Sequence, residues 1–250
     1  QVAPYQQLTP LKGPAGRLAK NMAASLAVPT ATSMREVPVK VMEENRRLIN
    51  QYRSGSGKSK VSFTHMLGFA IVRALKDLPQ LNDAYTEKEG EMFRVVNQQV
   101  NFGVAVDLKG AGGSRSLVVP SIKNAAAMNF AEFLQGFDDL VNRARNNKLT
   151  VADFQGTTIS LTNPGTVGTT GSVPRLMPGM GCIIGAGAIG YPAEYQGVSP
   201  EMKAMIGLSA TMTLTCTYDH RVIQGAESGM FLGRLQQLLE GADGFYDAIF

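Results

Sequence analysis

Residues 211–226 read TMTLTCTYDHRVIQGA, and this stretch decides how the rest of the chain is interpreted. Apolar and hydroxyl side chains alternate along its first half, which is the period-two pattern of a β-strand with two different faces. A charged tripeptide with His220 at its centre follows, and a glycine then leads into an amphipathic segment. The sequence therefore predicts a strand over 205–218, a helix over 224–239 and, between them, a rigidly held imidazole.

The rest of the chain alternates between helical and extended patterns. Helices are predicted over 11–26, 41–52, 63–78 and 130–144, and strands over 30–39, 95–107, 116–120, 157–162 and 181–189. Strands 95–107 and 116–120 are expected to form a hairpin with its turn at 111–113. This order is typical of an α+β fold, in which helices pack on a mixed sheet. We predict an extended arm over 1–12 and one domain over 13–250.

The composition indicates one folded core. The chain has 250 residues, 44% of them hydrophobic, and a net charge of +4 that is dispersed along the sequence; this favours a solvated surface over a nucleic-acid-binding face. Cys182 and Cys216 lie in apolar or β-rich runs, which predicts buried thiols in a reducing compartment. We see neither a signal peptide nor an apolar run of roughly 18 residues, the length of a spanning helix. We therefore expect a cytoplasmic protein without membrane or nucleic-acid partners.

Two patterns that resemble nucleotide-binding motifs are incomplete. The stretch 185–190 fits G-x-G-x-x-G, which needs a helix to begin there. Tyr191-Pro192 follows and disfavours such a helix, so we interpret these glycines as positions of close packing in a strand. Gly57-Lys58-Ser59 is similar to the end of a phosphate-binding loop, but Tyr52 stands where the first glycine of that loop would be. We expect no nucleotide site here and no metal site.

The chain has only two histidines, so the choice of a general base is narrow. His65 lies among apolar residues of a predicted helix, which favours a packed structural side chain. His220 follows the long strand and is the candidate base, although the local pattern alone also fits a structural histidine. Thr162 ends a strand before a glycine-rich loop. Its hydroxyl is a candidate donor to an oxyanion, or an ordinary strand-ending hydroxyl.

The combination of motifs resembles one protein family. Residues 219–225, DHRVIQG, are similar to the D-H-R-x-x-D-G signature of the dihydrolipoyl acyltransferases, the E2 components of 2-oxo-acid dehydrogenase complexes. The segment 158–165 resembles their active-site strand, 148–156 the approach to it, and 100–107 with 117–120 their hairpin. The resemblance covers nearly the whole chain.

One branch of this family is closer still. The segments that carry this likeness are 63–65, 161–165, 172–177, 191–197 and 223–229. They resemble the actinobacterial multifunctional 2-oxoglutarate dehydrogenase, in which an E2-like succinyltransferase domain precedes a fused, thiamine-dependent E1 domain. Because the chain begins at Gln1 and ends abruptly at Phe250, we expect a domain excised from a longer fused polypeptide.

The resemblance implies a fold like that of chloramphenicol acetyltransferase, with a mixed sheet and flanking helices, assembled as a homotrimer. His220 would act as the base from one subunit and Thr162 as the oxyanion donor from the next. The supporting residues would be Asp219, Arg221, Gln224 and Asn163. The implied reaction transfers a succinyl group between dihydrolipoyl-lysine and coenzyme A. The coenzyme A contacts stay unassigned, with Arg17 and Lys20 the only candidates.

The same resemblance implies several partners. No lipoyl domain is visible in the sequence, so lipoyl-lysine would come from the lipoyl domain of a separate protein. Thiamine diphosphate and Mg would belong to the fused E1 domain and not to this one. An E3 dehydrogenase component would complete the system.

Gln224 is the main departure from the family pattern, because it stands where the signature has its second Asp. An amide cannot form the ion pair with an Arg that a carboxylate supports, but it can still hydrogen-bond. Three hypotheses therefore stay open. The chain is an active succinyltransferase, a catalytically weak or inactive module that serves as a trimeric scaffold, or a stand-alone acetyltransferase for a small molecule.

Overall fold

A computed structural model describes residue 3, residues 5–109 and residues 115–250. The α-helices in these ranges are α1 (Gly13–Ser25), α2 (Lys40–Gly55), α3 (Phe63–Asp77), α4 (Phe130–Arg145), α5 (Val151–Phe154), α6 (Pro200–Met205) and α7 (Gly225–Leu239). The strands are β1 (Thr30–Pro38), β2 (Ala84–Lys88), β3 (Glu91–Val95), β4 (Phe102–Val104), β5 (Val106–Lys109), β6 (Arg115–Val118), β7 (Ser121–Ile122), β8 (Ile159–Thr162), β9 (Cys182–Ala186) and β10 (Thr211–Asp219).

The fold is built on one mixed sheet. Its six strands have the order β1-β10-β9-β8-β4-β7, and β8 runs parallel to both of its neighbours while the other pairs are antiparallel. Two hairpins, β2–β3 and β5–β6, lie outside this sheet. The predicted α+β architecture, a mixed sheet with flanking helices, is confirmed. No helix in the described ranges is long and apolar enough to cross a bilayer.

The alternation read from the sequence separates the two faces of the sheet. Side chains such as Leu214, Cys216 and Ile184 belong to the main hydrophobic core, which also includes residues of α3, α4 and α7. Successive strand residues point to opposite faces, so Thr215 and Thr217 lie on the other side. Both threonines are buried. A smaller apolar cluster contributes to this second layer; it consists of Val28, Leu176, Met180 and Ile183.

Several predicted boundaries were wrong. The predicted strand over 205–218 begins later, because Met205 ends α6, whose first turn is capped by the Ser199 side chain. The predicted strand over 95–107 is interrupted, since β4 joins the central sheet and the chain then leaves it in β5. The hairpin between this region and 115–118 is confirmed for β5 and β6.

Other parts of the predicted organisation fall differently. The turn expected at 111–113 lies outside the described residues, as do residues 1, 2 and 4 of the expected arm. The hairpin β2–β3 was not predicted. Glu89 and Gly90 form its turn with φ of 56° and 81°, the pair of left-handed residues that a tight two-residue hairpin turn requires.

Gly187, which follows β9, packs against backbone, and no helix begins within residues 185–190. A Cβ on Gly187 would lie 2.0 Å from the carbonyl oxygen of Thr170, and a Cβ on Gly165 would lie 2.3 Å from the carbonyl oxygen of Gly187. The interpretation as close packing is therefore confirmed for Gly187 but not for Gly190, and the absence of a helix over 185–190 agrees with rejecting the dinucleotide motif. This contact fixes the loop that follows Thr162.

We predict that Gly187→Ala lowers the free energy of unfolding by about 1–3 kcal/mol, because overpacking against backbone forces the two segments apart. Urea unfolding followed by circular dichroism measures the change. Gly190→Ala is the matched control, since no atom lies within 4 Å of its Cβ position. Equal stability of the two variants would contradict the proposed packing.

Candidate active site

His220 lies in the tight turn between β10 and α7. Its backbone N–H donates to the carbonyl oxygen of Pro29 at 3.0 Å, which ties the turn to the segment before β1. The N–H groups of Val222 and Ile223 both donate to the carbonyl oxygen of Asp219, at 3.1 and 3.0 Å. The imidazole packs edge-to-face on the ring of Tyr218, with 5.4 Å between centroids, and is exposed to solvent. The backbone is thus fixed, while the ring is available to a substrate.

Asp219 and Arg221, on either side of His220, form an ion pair. The Asp219 carboxylate is buried and accepts hydrogen bonds from Nε and Nη2 of Arg221, at 2.9 and 2.6 Å. It also accepts from the backbone N–H of Arg221 at 3.1 Å. These hydrogen bonds raise the pKa of Arg221 above its ordinary value. Because the buried carboxylate is neutralised within the turn, the pair braces the backbone on both sides of the imidazole.

Gln224 stands directly before α7. Its backbone N–H donates to the carboxylate of Glu227 at 2.7 Å, which satisfies one free donor at the helix start. The arginine of the signature is instead paired with Asp219, as described above. The turn is therefore braced without a carboxylate at position 224. Sequence reasoning did not assign this role to Asp219.

Thr162 and Asn163 end β8. Thr162 is half-buried and lies opposite Gly185 in the sheet. The amide Nδ2 of Asn163 donates to the hydroxyl of Thr64 on α3, at 2.9 Å. Together with the close contact of Gly165 and Gly187, this bond holds the Thr162 hydroxyl at the start of the glycine-rich loop.

A single chain does not bring His220 and Thr162 together. Thr162 lies on β8, two strands away from β10 in the sheet. The register places it level with Gly185 on β9 and with Thr215 on β10. His220 lies five positions beyond Thr215, so the two residues are separated by about 16 Å along the strands and about 10 Å across them. A site that uses both side chains on one reacting group must be formed by two chains.

His65 is buried in a structural position, as expected. Its Nδ1 accepts a hydrogen bond from the backbone N–H of Ser62 at 3.2 Å, so Nε2 carries the proton and faces a carboxylate oxygen of Asp138 at 3.3 Å. The ring packs edge-to-face on Phe137. Burial lowers the pKa of His65, and Asp138 opposes this effect. Its interpretation as a packed residue is confirmed.

The described residues contain no group of three or more His, Cys, Asp or Glu side chains that could hold a metal ion. Cys182 and Cys216 are free and fully buried, and burial raises the pKa of the Cys182 thiol. Neither thiol is placed to act as a surface nucleophile.

Residues 4–245 match the model of one protein family, described as the catalytic domain of the 2-oxoacid dehydrogenase acyltransferases. The chain belongs to this family, and the resemblance seen in its sequence is confirmed. Chloramphenicol acetyltransferase shares the fold, with a TM-score of 0.50 and 16% identity over 88% of this chain and 94% of that one.

The similarity to one branch is also confirmed. The multifunctional 2-oxoglutarate metabolism enzyme of Mycolicibacterium vanbaalenii is 54% identical over 240 residues, 96% of this chain and 19% of that enzyme. The chain thus spans about a fifth of the curated relatives it matches. The dihydrolipoamide acetyltransferase of Azotobacter vinelandii superposes with a TM-score of 0.79 and 25% identity, covering 94% of this chain and 91% of that one. Its structure was determined in work on the roles of a serine, a histidine and an asparagine in catalysis.

We predict that stability falls as the pH drops below about 6.5, the ordinary histidine pKa, because the folded state lowers the pKa of His65. The unfolded chain then binds the proton more readily than the folded one. The stability that neutral His65 contributes is complete above this pH and is lost as the pH falls through the folded-state pKa.

Urea unfolding between about pH 7.5 and about pH 5.5 measures this dependence. His65→Gln should show a flatter slope than the native chain, because the group with the lowered pKa is removed. An unchanged slope in His65→Gln would contradict the assignment to His65.

Proposed function

We propose that this domain transfers a succinyl group between dihydrolipoyl-lysine and coenzyme A. The observation that carries the proposal is the placement of the His220 imidazole, which is exposed on a turn fixed by a buried ion pair. Membership in the acyltransferase family supports the reaction class. The succinyl group is supported by the similarity to a 2-oxoglutarate metabolism enzyme.

The chemistry requires one base and one donor. A thiol has a pKa near 8.5 and is mostly protonated at neutral pH, so His220 accepts its proton as the sulfur attacks the thioester carbonyl carbon. The carbonyl electron pair moves to oxygen, and the Thr162 hydroxyl donates a hydrogen bond to that oxyanion. Collapse of the intermediate breaks the original carbon–sulfur bond. The departing thiolate then takes the proton back from the imidazolium.

We further propose that this site lies between chains of a homotrimer. The support is geometric, since Thr162 ends β8 and His220 follows the end of β10, two strands away and about 16 Å farther along the sheet. In the whole protein we propose a fused E1 domain with thiamine diphosphate and Mg, a lipoyl domain on a separate protein, and an E3 component, all in the cytoplasm. The long multifunctional relatives, of which this chain covers 19%, support the fused arrangement.

Gln224 is compatible with activity in this proposal. In the Azotobacter enzyme the histidine and the asparagine studied for catalysis are four residues apart, the same spacing as His220 and Gln224. A related acetyltransferase therefore carries a side-chain amide four residues after a histidine that was studied for its role in catalysis. The scaffold hypothesis loses its main sequence argument, because the ion pair that braces the turn uses Asp219.

We predict that His220→Ala lowers kcat for succinyl transfer from succinyl-coenzyme A to dihydrolipoamide by about 10²–10⁴, since the base is lost. Thr162→Ala should lower kcat by about 10²–10³, and Thr162→Ser should recover most of the activity because the hydroxyl returns. Acetyl-coenzyme A serves as the comparison donor. A native domain that forms the correct oligomer and transfers neither acyl group would favour the scaffold.

We predict complementation when His220→Ala and Thr162→Ala chains are unfolded together and refolded. Each mixed trimer contains one interface with both side chains intact, so a random equal mixture should recover about a quarter of the native activity. Each variant refolded alone is the control. Failure to recover activity, with mixed trimers verified by native mass spectrometry, would place the site within one chain.

A further inference from the structure

The hairpin β2–β3 touches the turn that carries His220 through two neighbouring side chains. Tyr85 and Arg94 are directly opposite in the register, so they lie on the same face of the hairpin. Nη2 of Arg94 donates to the carbonyl oxygen of Val222 at 2.6 Å. The guanidinium carbon of Arg221 lies 3.7 Å from the centre of the Tyr85 ring.

The base of the hairpin is itself fixed. Nδ2 of Asn97 donates to the carbonyl oxygen of Asn82 at 2.7 Å, and Nδ2 of Asn82 donates to that of Gln99 at 3.0 Å. The hydroxyl of Thr158, next to β8, donates to Oδ1 of Asn82 at 2.5 Å. These hydrogen bonds connect the hairpin to the central sheet, so the hairpin can hold the side chains of the His220 turn in a fixed position.

Arg94 also neutralises a buried charge. Its Nη1 donates to the carboxylate of Asp83 at 3.4 Å, and Asp83 is 6% exposed. Burial raises the pKa of Asp83, and Arg94 opposes this effect. One guanidinium thus joins the start of the hairpin to the turn after His220.

We propose that Tyr85 and Arg94 are positioning residues that set the orientation of the His220 imidazole. This inference rests on the proposed function of His220. Arg221 and Val222 lie immediately after the histidine, and each is contacted by one of the two hairpin side chains. Without these contacts the Asp219–Arg221 ion pair still forms. Arg221 then loses its contact with the Tyr85 ring, and Val222 loses its hydrogen bond from Arg94. The imidazole then samples orientations that do not reach the thiol.

The test compares variants that separate contact from charge. Tyr85→Leu removes the ring, and Tyr85→Phe retains it. Asp83→Asn with Arg94→Gln removes the Val222 contact without leaving a buried unpaired carboxylate. Lys88→Gln changes one charge at the tip of the same hairpin and is the control.

We expect Tyr85→Leu and the double variant to lower kcat about ten-fold with KM nearly unchanged, because a small misplacement of a reacting group slows the reaction strongly. The other two variants should stay within about two-fold of the native kcat.

The second readout is nuclear magnetic resonance of ¹⁵N-histidine-labelled domain. With only two histidines in the sequence, the imidazole signals are few, and His65 serves as an internal reference. We expect the His220 ring signals to shift or broaden in Tyr85→Leu and in the double variant, while those of His65 stay unchanged. This readout does not depend on turnover, so it tests the positioning even where the native domain lacks succinyl transfer.

Native kcat and native His220 signals in both Tyr85→Leu and the double variant would overturn the inference that the hairpin positions His220. An equal loss in Lys88→Gln, or in Tyr85→Phe, would also overturn it, because the effect would then not follow the two contacts. If Tyr85→Leu fails to fold, the charge-balanced double variant alone decides. Loss of activity in His220→Ala without any effect of the hairpin variants would leave the proposed function standing and remove this inference.

Discussion

The strand β10 is the constraint on which the rest of the fold depends. It pairs with β1 along its whole length and with β9 over its second half. Its apolar side chains lie in the main core, and its threonines face the other layer. A slip by one residue would exchange these two sets, so the register is strongly determined. Because Asp219 is the last residue of this strand, the same register determines where His220 begins its turn.

The two candidate catalytic residues lie where strands end, Thr162 at the end of β8 and His220 in the turn after β10. Asp219 and Arg221 neutralise each other beside His220, and Asn163 binds Thr64 beside Thr162. In both places the polar neighbours of the candidate group form hydrogen bonds or an ion pair, while the side chains of His220 and Thr162 make no hydrogen bond within the part of the chain that the structure describes. This division is suited to catalysis, which requires side chains held in a productive geometry before substrate arrives.

Much of this could be predicted from the sequence, and for identifiable reasons. The alternation before Asp219 and the apolar spacing of α3, α4 and α7 are local signals, and they indicated the elements correctly. The break between β4 and β5 was missed because pairing with β8, more than fifty residues later, decides it. The hairpin β2–β3 was missed because its strands are mostly exposed and carry little alternation.

The site residues, too, were predicted where the signal is local in the sequence and missed where it depends on three-dimensional contacts. His220 was recognisable because the sequence contains only two histidines and one of them lies in an apolar helix. The partnership of Asp219 with Arg221 depends on side-chain geometry within a turn, which spacing does not reveal. The contacts of Tyr85 and Arg94 with the turn were not predicted, since they are made with residues well over a hundred positions away.

The separation of Thr162 from His220 has a consequence for how the proposed activity responds to concentration. When a reaction centre is divided between polypeptides, dissociation removes the centre without altering any residue in it. Specific activity then becomes a function of protein concentration, and substitutions at a remote interface imitate substitutions of the base. Dilution below the dissociation constant of the assembly would therefore lower the specific activity.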